Sequence, residues 1–373
     1  AAGQGAPPDL RGHRRGAALS LTLRYAPGAL HPRARALPAV APGGFAPQVP
    51  CMQPADPATL QTLAGRAMGT SWSVRLVNPG FAPLAPLREA IEEALALVVR
   101  QMSPWEPDSD ISRFNRAAPG HWQALPAEFF TVLQAALHWA QASGGACDPT
   151  VGPLVDLWGF GPRPDPLAPH AAAVPSAGAL AEARARVGFR RLAVDAAGQR
   201  IGQPGGAHLD LCGIAKGYAV DLVSAALAAH GIADHLVEVG GELRARGTRP
   251  GGQPWRVAVA GPGEGGQTVL ALREQAVATS GDHWHAFEHG GRRYSHTIDP
   301  RSGEPVRHAL AAVTVLHAEC MHADALATVL TVLGPCEGFE FAQAHGIAAR
   351  FCERAESGAV LRATPAFEAA TAR

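Results

Sequence analysis

"DPTVGPLVDLWGFGP" runs from Asp148 to Pro162 and, after its opening Asp-Pro, holds five more Gly or Pro residues with bulky apolar side chains between them. Proline fixes φ and withholds an amide, and glycine weakens helix and strand alike. No ordinary helix or strand reads this way, so a stiff, turn-rich segment is expected between regular elements. Upstream, "SWSVRLV" (Ser71 to Val77) alternates like a strand. Leu87, Ile91, Leu95, Val98 and Met102 then recur at helical spacing, and Pro104 and Pro107 stop that helix. A second helix runs from about Ala127 to Ala142, with Phe130, Leu133, Leu137 and Ala140 on one face and Gly144 and Gly145 at its end.

Downstream, residues 163–180 read as a Pro/Ala loop, followed by a short helix over roughly Leu180 to Val187. "RRLAVD" and "LDL" read as strands, and Ala215 to Ala229 as a helix closed by Gly231. "HLVEVGGELRARG" is two strands around a Gly-Gly break, and "WRVAVA", "TVLALRE" and "QAVATS" are expected to continue the sheet. "LAAVTVLHA" is a strand leading into a helix from His322 to Leu333. Hairpin-like strands beside separated helices imply an α+β fold rather than strict βαβ alternation.

The chain has 373 residues, 47% of them apolar, which is a globular composition. Lys+Arg and Asp+Glu both number 32, for a net charge of +0. That balance leaves no electrostatic footprint for nucleic acid and no broad basic face for an anionic membrane. The six cysteines form no C-x-x-C pair, which argues against zinc-ribbon and thioredoxin chemistry. No uninterrupted apolar run reaches the roughly 20 residues of a membrane span. Residues 1 to about 60, rich in Pro, Ala, Gly and Arg, are expected to be a poorly ordered leader, with folding starting near Leu63. Within it, Arg24 interrupts the basic-then-apolar patch Arg11 to Leu23 too early for a clean secretory signal. "QVPC", ending at Cys51, matches a lipoprotein cleavage site only in outline.

The chain has no P-loop, no H-E-x-x-H and no G-x-S-x-G. Its "GPGEGG" (Gly261 to Gly266) is followed by a strand pattern, so it reads as a hairpin loop and not as a dinucleotide fingerprint. Lys216 stands near a helix start after a Gly-containing turn, which suits an anion site and equally a capped helix with a solvated lysine. Asp324 and Thr328, at i and i+4, could share a hard cation, or be an N-terminal-turn Asp and a helix Thr bonding back to its own backbone. His296 suits a general base or a structural role. Trp105 could stack on a flat ring or plug the core, and Met68 before Gly69 is equally open.

Together, "MGTSWSV", "PDSDISRFN", "DPTVGPLVDLWGFGP", "GIAKGYAVD", "VGGELR", "ATSGD", "YSHTIDPRSG" and "ADALAT" resemble, in order and spacing, the FAD:protein FMN transferase (ApbE) family from about Leu63 to about Glu353. The resemblance implies a two-lobed, T-fold-like α+β domain over residues 61–373, with mixed or antiparallel sheets, packed helices and an FAD site in the cleft. It implies magnesium-dependent transfer of FMN from FAD to a threonine hydroxyl of a target flavoprotein, with AMP released. FAD contacts carry over to Met68, Trp105, Ala146, Cys147, Asp148, Asp210, Lys216 and Ile298, magnesium ligands to Gly213 (by its carbonyl), Asp324 and Thr328, and the base to His296, with Asp282 or Asp299 able to share that task. Trp105 stands where the family often has Tyr, while Cys147 and Cys212 stand at variable positions. Two other classes compete: a hydrolase with identical sites that splits FAD to FMN and AMP, and a non-catalytic FAD-binding protein, against which Asp324, Thr328, Lys216 and His296 argue, because storage needs no cation and no base. No acceptor motif (Asp, then Ser/Thr-Gly-Ala-Thr) is evident in the chain, which implies a partner protein. The resemblance implies a periplasmic or inner-membrane-associated setting, and a homodimer stays open.

Overall fold

The computed structural model describes residues 59–162, 174–259, 268–281, 286–355 and 358–372. The leader, most of the Pro/Ala loop, the "GPGEGG" loop and Asp282 lie outside the described residues.

An eight-stranded sheet runs in the order β1 (Leu60–Ala67), β2 (Thr70–Val77), β6 (His235–Val239), β7 (Glu242–Arg246), β10 (Gln275–Gly281), β15 (Leu310–His317), β16 (Ala348–Ala355) and β17 (Gly358–Ala363). Every pairing among its described residues is antiparallel. The smaller sheets are β3 (Trp122–Ala124), β4 (Ala193–Asp195) and β5 (Arg200–Gly202) together, β8 (Trp255–Val259) with β9 (Thr268–Leu272), β11 (Ala286–His289) with β12 (Arg292–Ser295), and β13 (Ile298–Asp299) with β14 (Glu304–Pro305). The helices are α1 (Leu84–Met102), α2 (Asp110–Asn115), α3 (Ala127–Ala142), α4 (Gly152–Leu157), α5 (Ala177–Arg186), α6 (Ala215–Ala229), α7 (Cys320–Ala344) and α8 (Pro365–Thr371).

Strand alternation sorts the core into layers. Val237, Val239 and Ala276 point to one face, where α1, α3 and α6 supply Ile91, Leu95, Phe129, Val220 and Val223. Leu236, Leu243, Ala245 and Val277 point to the other, under Trp255 and Val257 of β8 and Phe367 of α8. The pair β8–β9 therefore covers the sheet instead of continuing it, because the edge of β7 is already taken by β10. α7 is the one described helix long and apolar enough to cross a membrane, and 67% of that window is buried in the protein, as a core helix is.

The turn-rich stretch is not wholly irregular. It contains α4, with Pro153 in the first turn, where a missing amide costs nothing. Leu154 and Trp158 centre a separate cluster with Ala183, Tyr294 and Ile298, flanked by Phe160 and Phe287. The Trp158 indole donates to the Gly303 carbonyl at 2.8 Å and stacks on Tyr294 at 5.6 Å. The stretch is thus the core of a second lobe built with α5 and the β11–β12 hairpin.

Three further expectations change. "LDL" is no strand: Leu209 exchanges hydrogen bonds with the Asn115 side chain, and the Asp210 amide donates to the Pro149 carbonyl. In "RRLAVD", Phe189–Arg191 forms a 3₁₀ turn and only Ala193–Asp195 is strand. α7 continues past Leu333 after a break at Gly334, whose φ of 80° only glycine adopts readily, next to Pro335.

α6 is pinned to the sheet by a buried histidine. His235 donates through Nδ1 to the Ile232 carbonyl (2.9 Å) and accepts the Ser224 hydroxyl at Nε2 (2.7 Å). Burial lowers its pKa to about 4, against 6.5 for an ordinary histidine. The stability it contributes is therefore full above pH 6.5 and lost as pH falls towards 4, by roughly 3 kcal/mol. In urea unfolding, His235→Gln should lose stability less steeply than the wild type over that window; equal slopes would refute the assignment.

Candidate active site

The tight turn at Gly240 and Gly241, with φ of 61° and 105°, delivers Glu242 to the helix-covered face of the sheet. Above it, α6 starts directly after the turn through Gly213 and Ile214 and presents Lys216 in its first turn. A cation there opposes the helix dipole, so it needs a carboxylate partner. Lys216 Nζ lies 2.6 Å from Glu242 Oε1. From the second turn of α7, Asp324 Oδ2 accepts the Gly217 amide at 2.9 Å. Asp324 is 5% exposed and Glu242 3%, while a third (32%) of the Lys216 side chain stays open.

Two buried carboxylates thus share one ammonium. Burial raises the Glu242 carboxyl against the pull of Lys216. Burial first, then Glu242, push Asp324 up to about 7. Lys216 rises above its ordinary value, because Glu242 and Asp324 outweigh the burial that opposes its charge. Glu242 Oε2 is buried with no hydrogen-bond partner. An orphaned acceptor and an excess negative charge are what a bound cation would satisfy.

The neighbouring donors fit a hard cation. A Cβ on Gly213 would stand 2.9 Å from Thr328 Oγ1, so glycine is what lets that hydroxyl and the Gly213 backbone come together. Carboxylate, hydroxyl and carbonyl oxygen form the donor set magnesium prefers. The Cys147 thiol is pushed up to about 12 by burial and then by Asp148, Asp324 and Asp210. Cys212 is raised for the same first reason, so neither offers a thiolate.

The other expected residues are engaged in different ways. Asp148 is a brace: Oδ1 accepts from the Thr150 amide (2.8 Å) and hydroxyl (2.6 Å), and Oδ2 accepts from the Phe189 amide (2.9 Å). Asp210 Oδ1 accepts the Cys212 amide at 2.8 Å and shapes the turn ahead of α6. Ala146 is buried against Val329, Val332 and Leu333 of α7. His296 and Ile298 belong to the second lobe, where the His296 ring meets the edge of Phe160 at 6.4 Å. That lobe touches α7 through Val306 and through His308, which lies 2.7 Å from the Thr331 carbonyl. Met68 sits at the β1–β2 turn with φ of 52°, and Trp105, between α1 and α2, is 56% exposed. No hydrogen bond among the described residues joins Met68, Trp105, His296 or Ile298 to the charged cluster. Glu242 is the residue that sequence reasoning passed over. Its strand, ELRAR, alternates charged and apolar residues, so no local signal sets it apart.

A model described as the ApbE family matches residues 68–351. The chain belongs to the ApbE family. Among relatives of this ApbE-family chain, the Vibrio cholerae protein named FAD:protein FMN transferase is 38% identical over 308 residues, covering 81% of this chain and 90% of that one. Its Haemophilus influenzae namesake is 35% identical over 320 residues, covering 83% and 91%. Of solved structures, the apo flavinyl transferase ApbE of Pseudomonas stutzeri superposes with a TM-score of 0.77 at 40% identity, covering 84% of this chain and 97% of that one. The Thermotoga maritima ApbE protein gives 0.75 at 29% identity, covering 84% and 99%.

A carboxyl raised from 3.8 to about 7 takes up its proton on folding, so the stability it lends is present below pH 3.8 and lost as pH rises through 7. In EDTA, the melting temperature of Asp324→Asn should gain on the wild type as pH rises from about 5 to 8. Magnesium at pH 8 should raise the wild type's melting temperature and leave the variant's unchanged. A pH-independent gap, or equal responses to magnesium, would remove Asp324 from the cation site.

Proposed function

We propose that the protein transfers FMN from FAD to a threonine hydroxyl on a partner flavoprotein, releases AMP, and depends on magnesium. As a member of the ApbE family whose relatives are named transferases, the chain is an enzyme acting on FAD and a protein. The observation that carries the finer reading is the buried Lys216–Glu242–Asp324 cluster with its orphaned Glu242 Oε2. A protein that merely stores FAD has no need of two buried carboxylates sharing one cation, a costly arrangement.

Asp324, Thr328 and the Gly213 carbonyl would hold magnesium, which supplies neutralisation of pyrophosphate charge when bound. Lys216, with its raised pKa and open flank, stays protonated and binds phosphate oxygen. His296 takes the proton from the threonine hydroxyl. The threonine oxygen bonds to the FMN phosphorus, the bridging P–O bond breaks, and AMP leaves with that electron pair. A periplasmic setting is proposed on the family resemblance alone.

The test is intact-protein mass spectrometry with FAD, magnesium and a domain carrying an acceptor threonine motif, beside an EDTA control. An acceptor mass gain of one FMN, absent with EDTA, is expected. AMP with free FMN and no adduct would make the protein a hydrolase, and intact FAD would make it a binding protein. His296→Asn should slow transfer by about a hundredfold or more and leave FAD affinity within about twofold. Equal loss of both would make His296 a ligand contact and not the base.

A further inference from the structure

α7 begins without a cap of its own. Its N-cap residue, Glu319, makes no side-chain bond to the free amides of the first turn. Those amides are satisfied from another helix. Asp221, on α6, accepts the Cys320 amide at Oδ1 (2.9 Å) and the Met321 amide at Oδ2 (2.8 Å). Arg244 Nη1 donates to the same Oδ1. The Asp221 side chain is 14% exposed, so these bonds are largely shielded from water.

The placement is set from three sides. Gly217 and Asp221, at i and i+4, share one face of α6. Gly217 lends its amide to Asp324, while Asp221 holds the two amides just ahead of Asp324 on α7. The helices can approach this closely because residue 217 has no side chain: a Cβ there would lie 2.3 Å from the Cys320 carbonyl oxygen and 2.8 Å from Asp324 Cβ. From the sheet, Glu242 and Arg244 are two residues apart on β7 and therefore on one face. Glu242 holds Lys216 and Arg244 holds Asp221.

We propose that Asp221, held by Arg244, is a positioning residue of the reaction: it caps α7 from α6 and thereby fixes where Asp324 stands relative to Lys216 and Glu242. The inference rests on the proposed function. Asp221 touches neither substrate nor metal and acts through the first turn of α7. The chemistry is specific to a carboxylate. Two amide donors need two acceptor oxygens, and an asparagine offers one oxygen and one NH₂. Asp221→Asn thus sets donor against donor at one α7 amide and loses the ion pair to Arg244. A shift of about 1 Å in a group that organises the reacting phosphates is enough to cost a hundredfold in rate.

The test compares the wild type, Asp221→Asn, Asp221→Glu and a control, Thr364→Ala. Thr364 caps α8, on the opposite face of the sheet, and its loss destabilises the fold without touching α6 or α7. At a temperature well below every variant's melting point, AMP release from FAD and magnesium is followed with the acceptor domain present. Asp221→Asn is expected to lose about tenfold or more in kcat with FAD KM within about threefold. Asp221→Glu should recover part of the loss, and Thr364→Ala should keep wild-type kcat despite a lowered melting temperature. Amide hydrogen exchange on metal-free, FAD-free protein is the second readout. Exchange should quicken at residues 320–324 in Asp221→Asn and stay at the wild-type rate there in Thr364→Ala. An unchanged kcat, a kcat loss matched by Thr364→Ala, or unchanged exchange at residues 320–324 would overturn the proposal. A wild type that leaves FAD whole would sink the functional reading, and the exchange rates would still decide whether Asp221 holds α7.

Discussion

The structure depends on how closely the first turns of α6 and α7 approach each other over β7. Gly217 permits the contact, and Asp324 and Asp221 bond across it. The result concentrates charge where the protein has removed water. Asp324 and Glu242 are displaced upward from their ordinary titration ranges by burial, and Lys216 is displaced upward against burial by its carboxylate neighbours. Such a cluster is costly in isolation. A cation beside the orphaned Glu242 Oε2 would lower that cost.

Around that contact, the remaining elements act as supports at increasing distance. Ser224 and His235 anchor α6 to β6 inside the layer. The turn ahead of α6 is set by Asp210 and by the Asn115 side chain, which replaces a strand ladder at Leu209. Asp148 locks the entry to the turn-rich stretch onto Phe189, and the stretch then becomes the core of the second lobe around Trp158. That lobe brings the His296 segment up against α7 through Val306 and His308. The charged cluster and the His296 segment thus sit on two separately packed units that meet along one helix.

Membership in the ApbE family gives the chemistry a setting. Asp324, Thr328, Gly213 and Lys216 lie together, as an oxygen-donor cation site beside an ammonium requires. Asp148 is different. Its carboxylate is used up within the protein, so what it can show a ligand is the backbone it stiffens.

The sequence by itself determined the helices with strong period and clear stops: Ala127–Ala142 and Ala215–Ala229 read to the residue, because apolar spacing and terminal glycines act locally. It also determined the strands around Gly240 and Gly241 and the order of the motifs. Tertiary structure decided the rest, for reasons of partnership rather than propensity. β1 and the β11–β12 hairpin carry too many polar and glycine residues to announce themselves, and form because neighbouring elements accept them. "WRVAVA" has a strand's pattern, but only the occupied edge of β7 tells that it lies across the sheet. α4 hides behind prolines that a first helical turn tolerates. Glu242 and Asp221 looked like any charge in a mixed sequence. Their meaning comes from burial and from groups 26 and about a hundred residues away in the chain, and no local pattern encodes a partner at that distance.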